Sequence, residues 1–315
     1  MGVRAGLMSP SGRSDAARMF TKDTTVSEVV CDPVFGDFGR LLFPVDRPMD
    51  GAATLAEISS PSVYMWYSSI DADETVAVLN RLRRDAAAGQ RVFYPIYTPQ
   101  ETAADPSKRD TGLFYFRGRP GAKFAVMNAG GGFVYVGAMH DSFPHARAVS
   151  AMGYNCFALI YRPDDPYRDL ARALAFIHDH AAELAVDPDG YSLWGGSAGA
   201  RMAAALGRRD ALAQLGVARV GQAAAVVTQY TGYTGTAPDD APTYACVGSR
   251  DGIAAPQAMR RRLQRLESYG IPTEFHVYEG LTHRFGLGSG TAAAGWVRAA
   301  VSFWEAQMKE RRRAT

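Results

Sequence analysis

Ser197 stands in Gly195-Gly196-Ser197-Ala198-Gly199, which fits the pattern G-x-S-x-G. A neutral serine is a poor nucleophile unless an adjacent base takes its proton. Small neighbours let the chain turn sharply and hold the hydroxyl exposed in a strained conformation. The chemistry to expect is attack of an activated serine on a carbonyl carbon. The same five residues could form a glycine-rich phosphate or packing turn, so the pentapeptide has to be weighed with its partners.

The sequence offers six histidines as the base: His140, His145, His178, His180, His276 and His283. His178 and His180 lie near the end of an amphipathic run and read as surface residues. His276 sits inside an alternating strand pattern and reads as structural. His283 lies in the loop Glu279–Gly286, just past that strand, where a rigid sheet can fix a loop residue. It is the candidate base. The base needs a carboxylate to hold its tautomer and favour the imidazolium. Asp251, in Gly248–Gly252 after another strand, is that candidate. Asp239 and Asp240 precede the same strand, at its wrong end, and Asp187 and Asp189 read as turn formers. The chain order Ser197, Asp251, His283 is the one expected of a strand–turn–helix nucleophile.

Acyl transfer also needs donors aimed at the tetrahedral oxygen. Gly130-Gly131-Gly132 ends a strand upstream, and its backbone can face a substrate with no Cβ in the way. The amides of Gly131 and Gly132, with that of Ala198 behind the nucleophile, are the candidate donors. A dinucleotide turn is disfavoured here, because G-x-G-x-x-G would need glycine where Tyr135 or Val136 stands. Phe133, Met139, His140 and Tyr230 are candidate walls of the substrate pocket.

These residues need a rigid frame, and from about residue 110 strands and helices alternate as in a parallel sheet with crossover helices. The expected strands are 112–117, 123–128, 155–161, 190–194, 223–230, 243–247 and 273–278. Asn155–Tyr161 is a near-continuous apolar run, as for a strand buried on both faces. Expected helices cover 141–152, a run through Leu170 to Leu184, 198–206, 256–269 and a terminal helix with Val297, Ala300, Val301, Trp304 and Met308 on its core face. Upstream, 73–88 reads as a helix followed by Gly89, with Asp71 or Asp73 as its cap. Residues 1–24 are polar and expected to be mobile. The gap 231–242 is too short for a sizeable helical lid.

The 315 residues suffice for one large domain or two small ones. With 47% hydrophobic and 21% charged residues the composition is ordinary for a globular protein. The formal net charge of +2 gives no reason to expect nucleic acid or an anionic membrane as partner. Cys31, Cys156 and Cys246 are odd in number and widely spaced, so neither a disulfide framework nor a zinc site is expected. No secretory signal or apolar stretch of about 18 residues is seen, and a cytoplasmic setting is expected.

Taken together, residues from about 112 to 308 resemble the α/β-hydrolase superfamily, in particular the esterase and acetylesterase branch similar to hormone-sensitive lipase. The resemblance rests on Gly130–Phe133, Gly153–Arg162, Val186–Gly190, Trp194–Gly199, Gly248–Gly252 and Tyr278–Gly286. It implies a three-layer α/β domain with a mostly parallel sheet, and hydrolysis of carboxylic esters through an acyl-enzyme without cofactor or metal. The glycine-lined turns point to a small acyl group. The expected partner is a small-molecule ester, and a homo-oligomer is compatible with the sequence. An amide deacylase, a peptidase, a thioesterase and a catalytically silent binding module on the same fold all remain open.

Two departures matter. Many relatives carry histidine before the three glycines, where this chain has Ala129, so a bond orienting the loop is either missing or supplied by Asn128. Relatives also often insert helices before the acid, and this chain does not. Residues 25–110 therefore either fold over the site or pack on the sheet edge. Their aromatic residues Phe35, Phe38, Phe43, Tyr64, Trp66, Tyr67, Phe93, Tyr94 and Tyr97 would suit a hydrophobic wall.

Overall fold

A computed structural model of the chain describes residues 19–59 and 70–314. Most of the expected mobile segment 1–24, and Tyr64, Trp66 and Tyr67 of the aromatic set, lie outside the described residues. The strands are β1 (Phe93–Pro95), β2 (Gly112–Phe116), β3 (Lys123–Asn128), β4 (Asn155–Ile160), β5 (Asp187–Gly196), β6 (Ala225–Gln229), β7 (Thr243–Gly248) and β8 (Thr273–Tyr278). They form one sheet in the order β1-β2-β4-β3-β5-β6-β7-β8. β2 pairs antiparallel with β1 and β4, and all the other pairs are parallel. β4 is buried along its whole length, which is why it is apolar without alternation.

The helices are α1 (Val26–Val30), α2 (Ala72–Ala87), α3 (Pro99–Ala104), α4 (Ala138–Asp141), α5 (Phe143–Ala151), α6 (Pro166–Asp179), α7 (Ala198–Leu206), α8 (Arg209–Gln214), α9 (Pro256–Ser268) and α10 (Trp296–Ala314). α5 and α10 pack on each other and on the sheet, and α7 lies over β3, β5 and β6 and against α6. The result is the three-layer α/β arrangement, with helices flanking a mostly parallel sheet.

The helix expected over 141–152 is α5, and the short α4 that precedes it, set off by a break at Ser142 (φ −134°), was not expected. Pro144, in the first turn of α5, supplies the reason. Proline lacks the N–H and clashes with the preceding turn, so it is tolerated only where a helix begins. Residues 230–242, between β6 and β7, contain no helix, in keeping with the short gap there.

Phe38 packs against Phe35, Phe93 and Phe114, and Phe114 against Phe143. These aromatics of the N-terminal region extend the main core at the β1–β2 edge. The beginning of α2 lines a cavity with Met139, His140 and Phe285. Asp71 caps the helix by accepting the Glu74 N–H at 2.8 Å, and Glu74 pairs with Arg147 of α5.

Candidate active site

β5 carries Ser197 to the C-terminal edge of the parallel strands. Ser197 has φ 53° and ψ −116°, a left-handed conformation that non-glycine residues rarely adopt. Its N–H donates to the Gln229 carbonyl at 2.9 Å, and Ala198 then begins α7. The turn closes only because its flanks are glycine. A Cβ on Gly199 would strike the Asn128 carbonyl, and one on Gly195 would strike the backbone of Gly199.

The candidate acid and base come from neighbouring strand ends. After β7, Asp251 Oδ1 accepts the N–H groups of Ile253 (2.8 Å) and Ala254 (2.7 Å). Its Oδ2 lies 2.8 Å from His283 Nδ1, and its side chain is fully buried. His283 Nε2 is 3.1 Å from Ser197 Oγ. The two loops are fastened to each other: Ser249 N–H donates to the Tyr278 carbonyl, Arg250 N–H to the Leu281 carbonyl, each at 2.9 Å. Ser197, His283 and Asp251 thus form one hydrogen-bonded line. The rejected carboxylates lie elsewhere: Asp240 pairs with Arg262, and Asp187 opens β5 and pairs with Lys123.

The glycine loop after β3 faces Ser197. A Cβ on Gly130 would come within 3.0 Å of Ser197 Cβ. The loop is held at its carbonyls: Gly130 O accepts the Gly137 N–H at 2.9 Å and Gly131 O the Val134 N–H at 3.0 Å. Among the described residues, no acceptor engages the N–H groups of Gly131, Gly132 or Ala198. The Ala198 amide opens a helix and has no partner within it. All three are therefore available to an incoming oxygen.

The loop is not oriented by Asn128, whose Nδ2 donates to the Trp194 carbonyl at 2.9 Å and so ties β3 to β5. Instead the Tyr161 hydroxyl donates to the Ala129 carbonyl at 2.7 Å, and Asp141 Oδ2 accepts the Gly130 N–H at 3.0 Å. Burial raises the Tyr161 hydroxyl well above the usual phenol range, so it stays a donor. Asp141 and Tyr161 were absent from the sequence-derived set. A carboxylate at a helix boundary looks like an ordinary cap, and a tyrosine ending an apolar strand looks like core.

The candidate pocket residues separate. Met139 and His140 line a cavity of about 500 Å³, together with Glu74 and Ala77 of α2 and with Phe285 and Ser289 beyond the base. Phe133 is half-buried and lies against Tyr161 and Tyr167. Tyr230 is no pocket wall. It is fully buried, its ring centroid is 4.7 Å from that of His283, and its hydroxyl donates to Asp141 at 2.5 Å. Among the described residues no cluster of His, Cys, Asp and Glu is placed to hold a metal ion, and no helix is long and apolar enough to cross a membrane.

Compared by sequence, the chain matches no family model and none of the curated proteins. Compared by structure, it resembles several solved enzymes. An acetyl ester-xyloside bifunctional hydrolase from Caldicellulosiruptor lactoaceticus superposes with a TM-score of 0.58 at 17% identity, covering 68% of this chain and 95% of that one. Esterase 2 of Thermogutta terrifontis, in its apo form, gives 0.53 at 21% identity over 62% and 88%. The carboxylesterase Cest-2923 of Lactobacillus plantarum gives 0.54 at 18% identity over 62% and 92%. With the strand order and the turn at Ser197, these likenesses establish that the chain has the α/β-hydrolase fold.

Proposed function

We propose that the protein is a serine hydrolase that cleaves carboxylic esters of small or medium acyl groups through an acyl-enzyme on Ser197. The observation that carries this reading is the position of His283, within hydrogen-bond reach of both Ser197 Oγ and Asp251 and opposite three unengaged amides. Such a line gives the serine a base and the base an orienting carboxylate.

In the reaction Ser197 Oγ attacks the ester carbonyl while His283 Nε2 takes its proton. The imidazolium so formed faces the Asp251 carboxylate. The carbonyl oxygen, now negative, is met by the amides of Gly131, Gly132 and Ala198. The C–O bond to the leaving alcohol breaks as His283 returns the proton to it, leaving an acyl ester on Ser197. A water then attacks that ester with His283 again as base, and the acid departs.

The reading draws support from the company of the fold. Two of the similar structures are described as an esterase and a carboxylesterase, and the Thermogutta enzyme is described as phosphorylated by paraoxon. A panel of nitrophenyl esters of graded acyl length tests the proposal. Turnover should be highest with short acyl groups and should be abolished by prior treatment with paraoxon. Hydrolysis of aminoacyl amides or thioesters without ester turnover would instead favour a deacylase or thioesterase. A folded protein inert towards all three would be a binding module.

A further inference from the structure

Behind the glycine loop lies a carboxylate that the reaction as described does not use. Asp141 closes α4, and its side chain is only 5% exposed. Burying a carboxylate is costly unless its oxygens find donors, and here each oxygen accepts one hydrogen bond. Oδ2 accepts the Gly130 N–H at 3.0 Å, and Oδ1 accepts the Tyr230 hydroxyl at 2.5 Å, with His140 Nε2 3.3 Å away. The group fits because two residues beside it have no side chain. A Cβ on Gly196 would stand 2.8 Å from Asp141 Cγ, and one on Gly130 would strike Oδ2. The carboxylate is therefore wedged between the ends of β3 and β5, the two backbone segments that offer the unengaged amides.

Its second partner reaches the base. Tyr230 has φ 41°, a strained value for a tyrosine, and its ring packs against that of His283. Strain of this kind persists only where the surroundings fix it. Asp141 is thus the point at which the glycine loop, through Gly130, and the packing of the base, through Tyr230, are joined.

We propose that Asp141 is a positioning residue of the ester hydrolysis: by accepting from Gly130 and Tyr230 it holds the Gly131 and Gly132 amides where the oxyanion forms, in register with His283. The inference rests on the ester-hydrolase reading above. Negative charge beside a forming oxyanion opposes it, so what Asp141 contributes is acceptor geometry. A neutral residue of the same shape should serve nearly as well. Asparagine can accept from Gly130 through its oxygen and donate to the Tyr230 oxygen through its amide.

The test compares wild type, Asp141→Ala, Asp141→Asn and Tyr230→Phe. Each is assayed for kcat and KM on a short-acyl nitrophenyl ester, and for affinity towards a trifluoromethyl ketone, which forms an oxyanion on the serine. Thermal midpoints check folding. Loss of one oxyanion donor typically costs about 100-fold or more in rate. Asp141→Ala should accordingly lower kcat about 100-fold with KM within about threefold, and weaken the ketone by a similar factor. Asp141→Asn should recover to within about tenfold of wild type, and Tyr230→Phe should fall between the two. A folded Asp141→Ala protein with wild-type kcat and ketone affinity overturns the proposal, as does an Asn variant no better than Ala. If the alanine variant does not fold, a Tyr230→Phe protein with unchanged kcat and ketone affinity overturns it. A wild type that neither turns over the ester nor binds the ketone overturns the ester-hydrolase reading itself, an outcome distinct from all of these.

Discussion

At the scale of residues, the site is a set of short-range constraints that leave each reactive atom one course. Both oxygens of Asp251 are occupied, one by two backbone amides and the other by His283 Nδ1, so the ring is presented with Nε2 towards Ser197. Replacing Asp251 by asparagine keeps the shape but lets the side chain donate to Nδ1, which favours the wrong tautomer. The kcat should fall by about 10⁴-fold with little change in KM, as measured by steady-state ester hydrolysis. Ser197→Ala should remove essentially all turnover above that of the oxyanion donors and binding alone, a loss on the order of 10⁶-fold. An Asp251→Asn enzyme within tenfold of wild type would mean that another group orients the base. The three residues were legible in the sequence because each lies in a loop whose flanking strand is plain to read. Asp141 and Tyr230 were not, because their roles depend on contacts across 89 positions of sequence that no local pattern reveals.

At the scale of elements, legibility followed length and pattern. β3, β8 and α7 fall on the residues expected, since apolar runs or alternation mark them directly. β1 was missed: it has three residues and ends in proline, too little for a period to show. α3 was missed for the opposite reason. It buries no residue and is held instead by the capping box of Thr98 and Glu101. β5 begins at Asp187, three residues before the expected start, where a register shift opposite Lys123 and Ala125 lets the turn-like Asp-Pro-Asp segment join the strand. The α7 junction carries an element-scale prediction. Alanine is favoured over glycine inside a helix by up to about 1 kcal/mol. At Gly199, however, its methyl would meet the Asn128 carbonyl, and overpacking of this kind costs about 1–3 kcal/mol or more. The clash should win, so Gly199→Ala should lower the thermal midpoint and the activity together. A variant of raised midpoint would contradict the tight β3–α7 crossing.

At the scale of the whole molecule, one core runs from the N-terminal segment through the sheet to α10, and two buried histidines are expected to make stability depend on pH. Burial pulls His145 down from 6.5 to about 4, and lowers His140 as well. Between pH 4 and 6.5 the unfolded chain holds a proton at residue 145 that the folded one refuses, so stability rises with pH across that window. It should be complete above about pH 6.5 and reduced on the order of 2 kcal/mol at pH 5. His145→Gln, which keeps a neutral donor for the Gln229 oxygen, should flatten the fall of the thermal midpoint between pH 7 and 5. An unchanged fall would place the acid sensitivity elsewhere. Covalent capture reaches the nucleophile most directly: treat the folded protein with a fluorophosphonate, weigh it intact and map the adduct by peptide mass. One adduct per chain on Ser197, absent from Ser197→Ala, is the result expected. A folded, unmodified protein, or an adduct on another serine, would contradict it.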